Sequence, residues 1–146
     1  MKKMKLSLAA ILVLPMLLLA AHLPPVVGDL ISVAPSGVST VDMEGFKQVV
    51  DNPDGALILD VREESEYAAG HIPGAAHLPR GLIESGIWPL VGFPNEIDFE
   101  RPIYVQCVSG NRASLAAKTL KDLGFSNVTA VVMQLSEWRQ AGYPFQ

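Results

Sequence analysis

Two repeating patterns of apolar and polar residues divide the chain. Three mainly apolar runs, 56–61, 103–106 and 128–132, predict strands that are buried in a sheet, and the first of them is typical of burial on both faces. Shorter segments at 38–41 and 75–78 are further strand candidates. Apolar residues recur at helical spacing in the segments between them, which predicts helices over 42–50, 63–69, 111–123 and 135–141. Strands that alternate with helices predict an α/β fold, with a mainly parallel sheet flanked by helices on both faces.

The first 28 residues have the pattern of a secretory signal peptide. A start with three lysines precedes a sixteen-residue uncharged run, which is short for a membrane span of about 20 residues. Cleavage is expected after Ala21 or Gly28, and an uncleaved anchor is the alternative. In either case we expect the domain outside the cytoplasm, in the periplasm or otherwise exported, without stable membrane association after cleavage. The predicted division is a signal peptide over 1–28, a linker over 29–36 and one folded domain over 37–146.

The net charge of the predicted folded domain bears on the kinds of molecule that it can bind. The signal segment holds three of the 11 basic residues and no acidic one, so 8 basic residues remain against 15 acidic ones, a net charge of −7. An acidic surface argues against nucleic acid and anionic membranes as partners. The length fits one domain with a single core, which we expect to be a monomer.

Cys107 is the only cysteine and begins the loop Cys107-Val108-Ser109-Gly110-Asn111-Arg112, between a predicted strand and a predicted helix. There, backbone N–H groups and the helix N-terminus converge on the sulfur and favour the thiolate, its nucleophilic form. Arg112 places a cation at a helix start, which is unfavourable unless an anion binds nearby. We therefore predict a cysteine active site for a small anion, and a buried inert cysteine is the alternative.

Other polar residues lie near the predicted strand ends. Arg80 points either towards the anion or towards solvent. Asp60 could be a general base, but we interpret it as closing turn hydrogen bonds. His71 and His77 lack metal-like spacing, so we predict no metal. The apolar segment 87–94 either packs down or forms a rim of the site.

The order of short motifs over residues 37–145 resembles the rhodanese family. The motifs are Asp60-Val61-Arg62-Glu63, Tyr67, Gly70-His71-Ile72-Pro73-Gly74-Ala75, Leu78-Pro79-Arg80-Gly81, the cysteine loop, Gly124-Phe125, Trp138 and Gly142-Tyr143-Pro144. The resemblance implies a rhodanese-like fold and a thiosulfate sulfurtransferase, in which Cys107 passes a sulfane sulfur to cyanide or a thiol as a persulfide. It implies no metal or organic cofactor. The substrate-binding residues would be Arg112, Arg80 and the loop residues Val108, Ser109, Gly110 and Asn111.

The length of the cysteine loop distinguishes branches of this family. Four residues separate Cys107 from Arg112, as in the sulfur-transferring members, whereas related phosphatases and arsenate reductases have five. A shorter ring of amides suits a single sulfur better than a tetrahedral oxyanion. One departure is Met133-Gln134, where the family usually has Gly-Gly, so the shape of one wall of the site is expected to differ. The alternatives are a non-catalytic domain that carries persulfide or binds a partner, and a cysteine phosphatase or arsenate reductase.

Overall fold

The computed structural model describes residues 37–146, so the predicted signal peptide and linker lie outside the described residues. Five strands and five helices follow one another along the chain, together with two short 3-10 turns, Arg80–Leu82 and Trp88–Val91. The strands are β1 (Ser39–Val41), β2 (Leu57–Asp60), β3 (Ala76–His77), β4 (Ile103–Gln106) and β5 (Val128–Val131). The helices are α1 (Met43–Asp51), α2 (Glu64–Ala68), α3 (Ile83–Gly86), α4 (Asn111–Asp122) and α5 (Leu135–Gln140).

The strands form one sheet in the order β1-β5-β4-β2-β3, and every neighbouring pair is parallel. Asp60 at the end of β2 lies beside Gln106 of β4 on one side and His77 of β3 on the other. The carboxyl ends of these three strands therefore meet at one edge, where parallel α/β sheets bind ligands.

Alternate residues of the central strands enter two hydrophobic cores, one on each face of the sheet. Leu57 and Leu59 face a core closed by α3 and α4, whereas Ile58 faces a core closed by α1 and α5. Phe46 of α1 and Trp138 of α5 pack in that second core, with ring centroids 5.5 Å apart. Burial on both faces explains the unbroken apolar runs. The prediction of a mainly parallel sheet with helices on both faces is confirmed.

Local signals fix the ends of several helices. Asp42 accepts a hydrogen bond from the Gly45 N–H at 2.8 Å and caps α1. Gly124, with φ at +106°, lies just beyond α4. Its N–H and that of Phe125 donate to carbonyls in the last turn of the helix, as in a glycine C-cap.

The apolar segment 87–94 mostly packs down. Ile87 and Val91 are buried in the core on the α4 face, and the Trp88 ring N–H donates to the Glu84 carbonyl at 2.9 Å. Phe93 remains 58% exposed. Sequence reasoning missed the short helical turns over residues 80–91, because none is long enough to show a helical period. Within residues 37–146, no helix has both the length and the apolarity to cross a membrane.

Candidate active site

Cys107 follows β4 directly and lies against the start of α4. Its Sγ accepts hydrogen bonds from the Gly110 N–H at 3.2 Å and from the Ala113 N–H at 3.4 Å. The residue is only 2% exposed. Two backbone donors and the positive end of a helix dipole therefore surround the sulfur, an arrangement that stabilises negative charge on it.

The shape of the loop depends on Gly110, the N-cap of α4, which has φ at +92°. A Cβ at this position would lie 3.3 Å from both the Val131 carbonyl oxygen and the Val132 Cα, so a larger residue would be both strained and crowded. The Val108 carbonyl accepts a hydrogen bond from the Leu135 N–H at 2.8 Å and thereby fastens the loop to α5. The close approach of the Val131–Val132 backbone to Gly110 and the hydrogen bond from Leu135 together hold the loop around the sulfur.

Further loop amides have no acceptor among the described residues. These are the N–H groups of Val108, Ser109, Asn111 and Arg112. Together with the two amides that contact Sγ, they are candidate donors to an anionic group at the cysteine.

Arg112 pairs with an acidic residue of the chain itself. Its Nη1 and Nη2 donate to the two carboxylate oxygens of Glu66 at 2.6 and 2.8 Å, and Glu63 lies 4.0 Å away. From the sequence we expected a bound anion beside Arg112, and in the structure the Glu66 carboxylate is paired with it. The helix α2 begins four residues after the end of β2, and its first-turn residue Glu66 meets the start of α4 there. Sequence reasoning missed Glu66 because it lies 46 residues before Arg112.

The ion pair between Glu66 and Arg112 shifts the pKa of both side chains. The hydrogen bond from Arg112 lowers the pKa of Glu66 to about 2. The same bond raises the pKa of Arg112, and the Cys107 sulfur adds to this effect. Glu66 also accepts from the Glu63 N–H at 3.0 Å in a capping box at the start of α2.

A buried ion pair at the end of β2 supports α2. Arg62 is 3% exposed and Asp60 is fully buried. The Arg62 guanidinium donates to both Asp60 oxygens, with Nη2 at 2.6 Å, and also to the carbonyls of Glu66 and Gly70. The Arg62 N–H donates to Asp60 Oδ1 at 3.0 Å. The interpretation of Asp60 as closing a turn is confirmed, while the paired role of Arg62 was not predicted.

Comparison with known proteins identifies the family. The sequence model of the rhodanese-like domain matches residues 43–141. The chain belongs to the rhodanese-like domain family. YrkF of Bacillus subtilis (strain 168), provisionally named a sulfur carrier protein, is 40% identical over 103 residues. The alignment covers 70% of this chain and 52% of YrkF, so the chain spans about half the length of that relative.

Two further rhodanese comparisons bear on the site. GlpE of Pseudomonas entomophila (strain L48), named a thiosulfate sulfurtransferase, is 36% identical over 91 residues, covering 62% of this chain and 76% of GlpE. The solved structure of RPA3614 from Rhodopseudomonas palustris CGA009 has a TM-score of 0.63 at 26% identity and covers 76% of this chain and 86% of that one. RPA3614 is described as a protein of unknown function and a possible tyrosine phosphatase.

The departure from the usual rhodanese Gly-Gly pair lies beside the loop. Met133 is buried in the core on the α1 face, while Gln134 is exposed and precedes α5. The bond from Leu135 to Val108 forms with these side chains in place. The Met133 side chain therefore fills space in that core, while the backbone on either side of the pair contacts the cysteine loop at Gly110 and Val108.

Arg80 lies in the turn after β3, and its N–H donates to the Val61 carbonyl at 3.1 Å. The residue is partly buried. Within residues 37–146, its side chain has no hydrogen bond or ion pair, in contrast to Arg112.

The two histidines of the rhodanese motifs stack on Tyr67. Its ring lies 3.8 Å from His71 and 4.4 Å from His77 between centroids, and its hydroxyl donates to the Ala75 carbonyl at 2.8 Å. Burial raises the pKa of Tyr67. In the described part of the chain, no group of three His, Cys, Asp or Glu side chains could hold a metal ion.

Proposed function

We propose that this rhodanese-like protein is a sulfurtransferase that moves a sulfane sulfur from thiosulfate to cyanide or a thiol through a persulfide on Cys107. The observation that carries the proposal is the position of Sγ, within reach of two amide N–H groups at the start of α4. The names of GlpE and YrkF support the same class of chemistry.

The first half-reaction forms the persulfide. The Cys107 thiolate attacks the outer sulfur of thiosulfate, and the sulfur–sulfur bond of the donor breaks. Sulfite leaves with the electron pair of that bond, while the transferred sulfur stays on Cys107 with one negative charge. In this proposal the unpaired loop amides donate to that charge. The side chains of Arg112 and Arg80 bind the sulfonate end of the donor.

The second half-reaction restores the thiolate. Cyanide, or a thiolate acceptor, attacks the terminal sulfur of the persulfide and forms thiocyanate or a new persulfide. The bond between that sulfur and Sγ breaks, and its electron pair returns to Cys107. No metal, oxidant or organic cofactor is needed for this balance.

Mass spectrometry of the intact protein tests the first half-reaction. After incubation with thiosulfate and gel filtration, we expect a mass increase of one sulfur atom, which cyanide should remove with release of thiocyanate. Cys107→Ser should neither gain this mass nor turn over, while it keeps the wild-type circular dichroism spectrum. Turnover near the wild-type rate in Cys107→Ser would overturn the proposal.

A persulfide carrier without rapid turnover is a second candidate function, favoured by the burial of Cys107 and by the name of YrkF. Such a protein would gain the sulfur mass but release it to cyanide only slowly. A single-turnover measurement of thiocyanate release separates the two functions.

A cysteine phosphatase is the third candidate, because RPA3614 is described as a possible tyrosine phosphatase. The four-residue spacing between Cys107 and Arg112 argues against it. We expect hydrolysis of an aryl phosphate to be negligible beside sulfur transfer under matched conditions, and the reverse order would contradict the loop-length argument.

Export of the domain is part of the proposal, based on the sequence of residues 1–28. Its monomeric state is a further part, based on the length of one domain. Cell fractionation followed by N-terminal sequencing should find the protein outside the cytoplasm, beginning after Ala21 or Gly28. A full-length protein confined to the cytoplasm would refute export, and a dimer by light scattering would refute the monomer.

A further inference from the structure

The Arg112 guanidinium has two edges that can bind an oxyanion, and the structure uses one of them. Nη1 and Nη2 together hold the Glu66 carboxylate. A guanidinium carries five N–H donors in a rigid plane. The other edge, formed by Nε–H and one Nη–H, has no acceptor among residues 37–146. Its geometry matches two oxygens of a sulfonate.

Glu66 is itself held in place from two directions. One of its carboxylate oxygens accepts the Glu63 N–H at 3.0 Å, and its carbonyl accepts Nη1 of Arg62 at 3.1 Å. Arg62 is in turn fixed by buried Asp60. A continuous series of hydrogen bonds therefore runs from the end of β2 through α2 to Arg112.

We propose that Glu66 is a positioning residue, which holds one edge of Arg112 so that the other edge faces the anionic end of a sulfur donor at Cys107. This inference rests on the proposed function, since it assigns the donor to the class of sulfonate-bearing anions. The Glu66 charge alone would repel such an anion. If Glu66 positions Arg112, removing Glu66 should weaken the binding of an anion at Cys107. If Glu66 only neutralises the charge of Arg112, removing it should strengthen that binding.

Alkylation of Cys107 distinguishes the two effects without any sulfur transfer. Iodoacetate is an anion and iodoacetamide is neutral, so the ratio of their rates measures how well cationic groups near Sγ receive a negative charge. If Glu66 positions Arg112, Glu66→Ala should lower this ratio about three- to ten-fold, because the freed arginine samples other rotamers. Arg112→Ala should lower it at least as much.

Matched variants exclude a general disturbance of α2. Glu66→Gln keeps an oxygen that can accept from Arg112 and from the Glu63 N–H, so its effect should be smaller than that of Glu66→Ala. Glu64→Ala removes an exposed acid from the same helix turn and should leave the ratio unchanged. An unchanged or raised ratio in Glu66→Ala would overturn the proposal.

Steady-state kinetics provide the second readout. Glu66→Ala should raise KM for thiosulfate about three- to ten-fold, with a smaller change in KM for cyanide. In the Arg112→Ala background, Glu66→Ala should cause no further loss, because Glu66 favours donor binding only through that arginine and its charge alone opposes it. Multiplicative losses in the double variant would overturn the proposal. If the wild-type protein takes no sulfur from thiosulfate, the proposed function fails, and the alkylation ratios still decide the role of Glu66.

Discussion

Replacement of Arg62 by methionine tests how much the buried ion pair at the end of β2 stabilises the fold. Methionine fills the volume of the arginine stem but leaves the fully buried Asp60 carboxylate with only the backbone N–H of residue 62 as a donor. It also removes the donors to the carbonyls of Glu66 and Gly70. Breaking one partner of a buried pair costs about 3–5 kcal/mol, so we expect a loss of about 4 kcal/mol in the free energy of unfolding.

Urea denaturation measures this loss. With a slope of about 2 kcal/mol per molar urea, typical of small domains, the midpoint should fall by about 2 M. Lys118→Met is the matched control, because it breaks an ion pair with Asp122 whose side chains are 53% and 64% exposed. That change should cost at most about 0.5 kcal/mol.

A double variant separates loss of pairing from loss of packing. Asp60→Leu combined with Arg62→Met leaves no unpaired charge and should recover much of the stability lost in Arg62→Met. The reasoning is refuted if Arg62→Met lowers the free energy of unfolding by less than about 1 kcal/mol. It is also refuted if the double variant is less stable than Arg62→Met.

Three further predictions concern the site. Arg112→Ala should lower kcat/KM for thiosulfate roughly ten- to hundred-fold, since a charge-assisted hydrogen bond contributes about 1.5–3 kcal/mol. Arg112→Lys should recover part of this because it keeps the charge without the planar fork, and equal, small effects on thiosulfate and cyanide would contradict the assignment. The pKa of Glu66 is lowered from 4.5 to about 2 in the folded protein, so its ion pair stabilises the fold above pH 4.5 and this contribution is lost as the pH falls towards 2. Because the pair is partly exposed, we expect about 1 kcal/mol; in acid titrations of stability Glu66→Gln should lack this step, and identical profiles would argue against it. Gln106 is fully buried and its side-chain amide has no partner among the described residues, so Gln106→Met should leave stability unchanged or raise it by about 1 kcal/mol, whereas a clear loss on thermal denaturation would show that the amide is satisfied.

The sequence was sufficient to predict the layered fold, because strands that are buried on both faces of a sheet are apolar at successive positions. Strands β2, β4 and β5 are short and mostly apolar on both faces, whereas a sheet covered on one face only would have alternated apolar and polar residues. The end of α4 could also be predicted, because glycine is the residue that most readily adopts the left-handed conformation found at Gly124.

The position of Cys107 at the start of α4 could also be predicted, because a strand, a short loop and a helix follow one another in sequence. The partner of Arg112 could not. Glu66 reaches it only because Asp60 and Arg62 fix the turn that carries α2, and such a contact depends on three-dimensional placement rather than on spacing. The capping box that orients Glu66 begins with glutamate instead of the usual serine or threonine, which weakens its signal in the sequence.

The pairing of β1 has a consequence for the order in which the domain assembles during synthesis. In the described sheet, β1 has a single neighbour, β5, with Ser39 beside Thr129 and Val41 beside Val131. Of the described strands, the first to leave the ribosome therefore pairs only with the last, so the chain between them must emerge before the sheet is complete. Contacts so distant along the chain slow folding. The sheet of a nascent chain with this topology therefore stays one edge short until β5 has been synthesised.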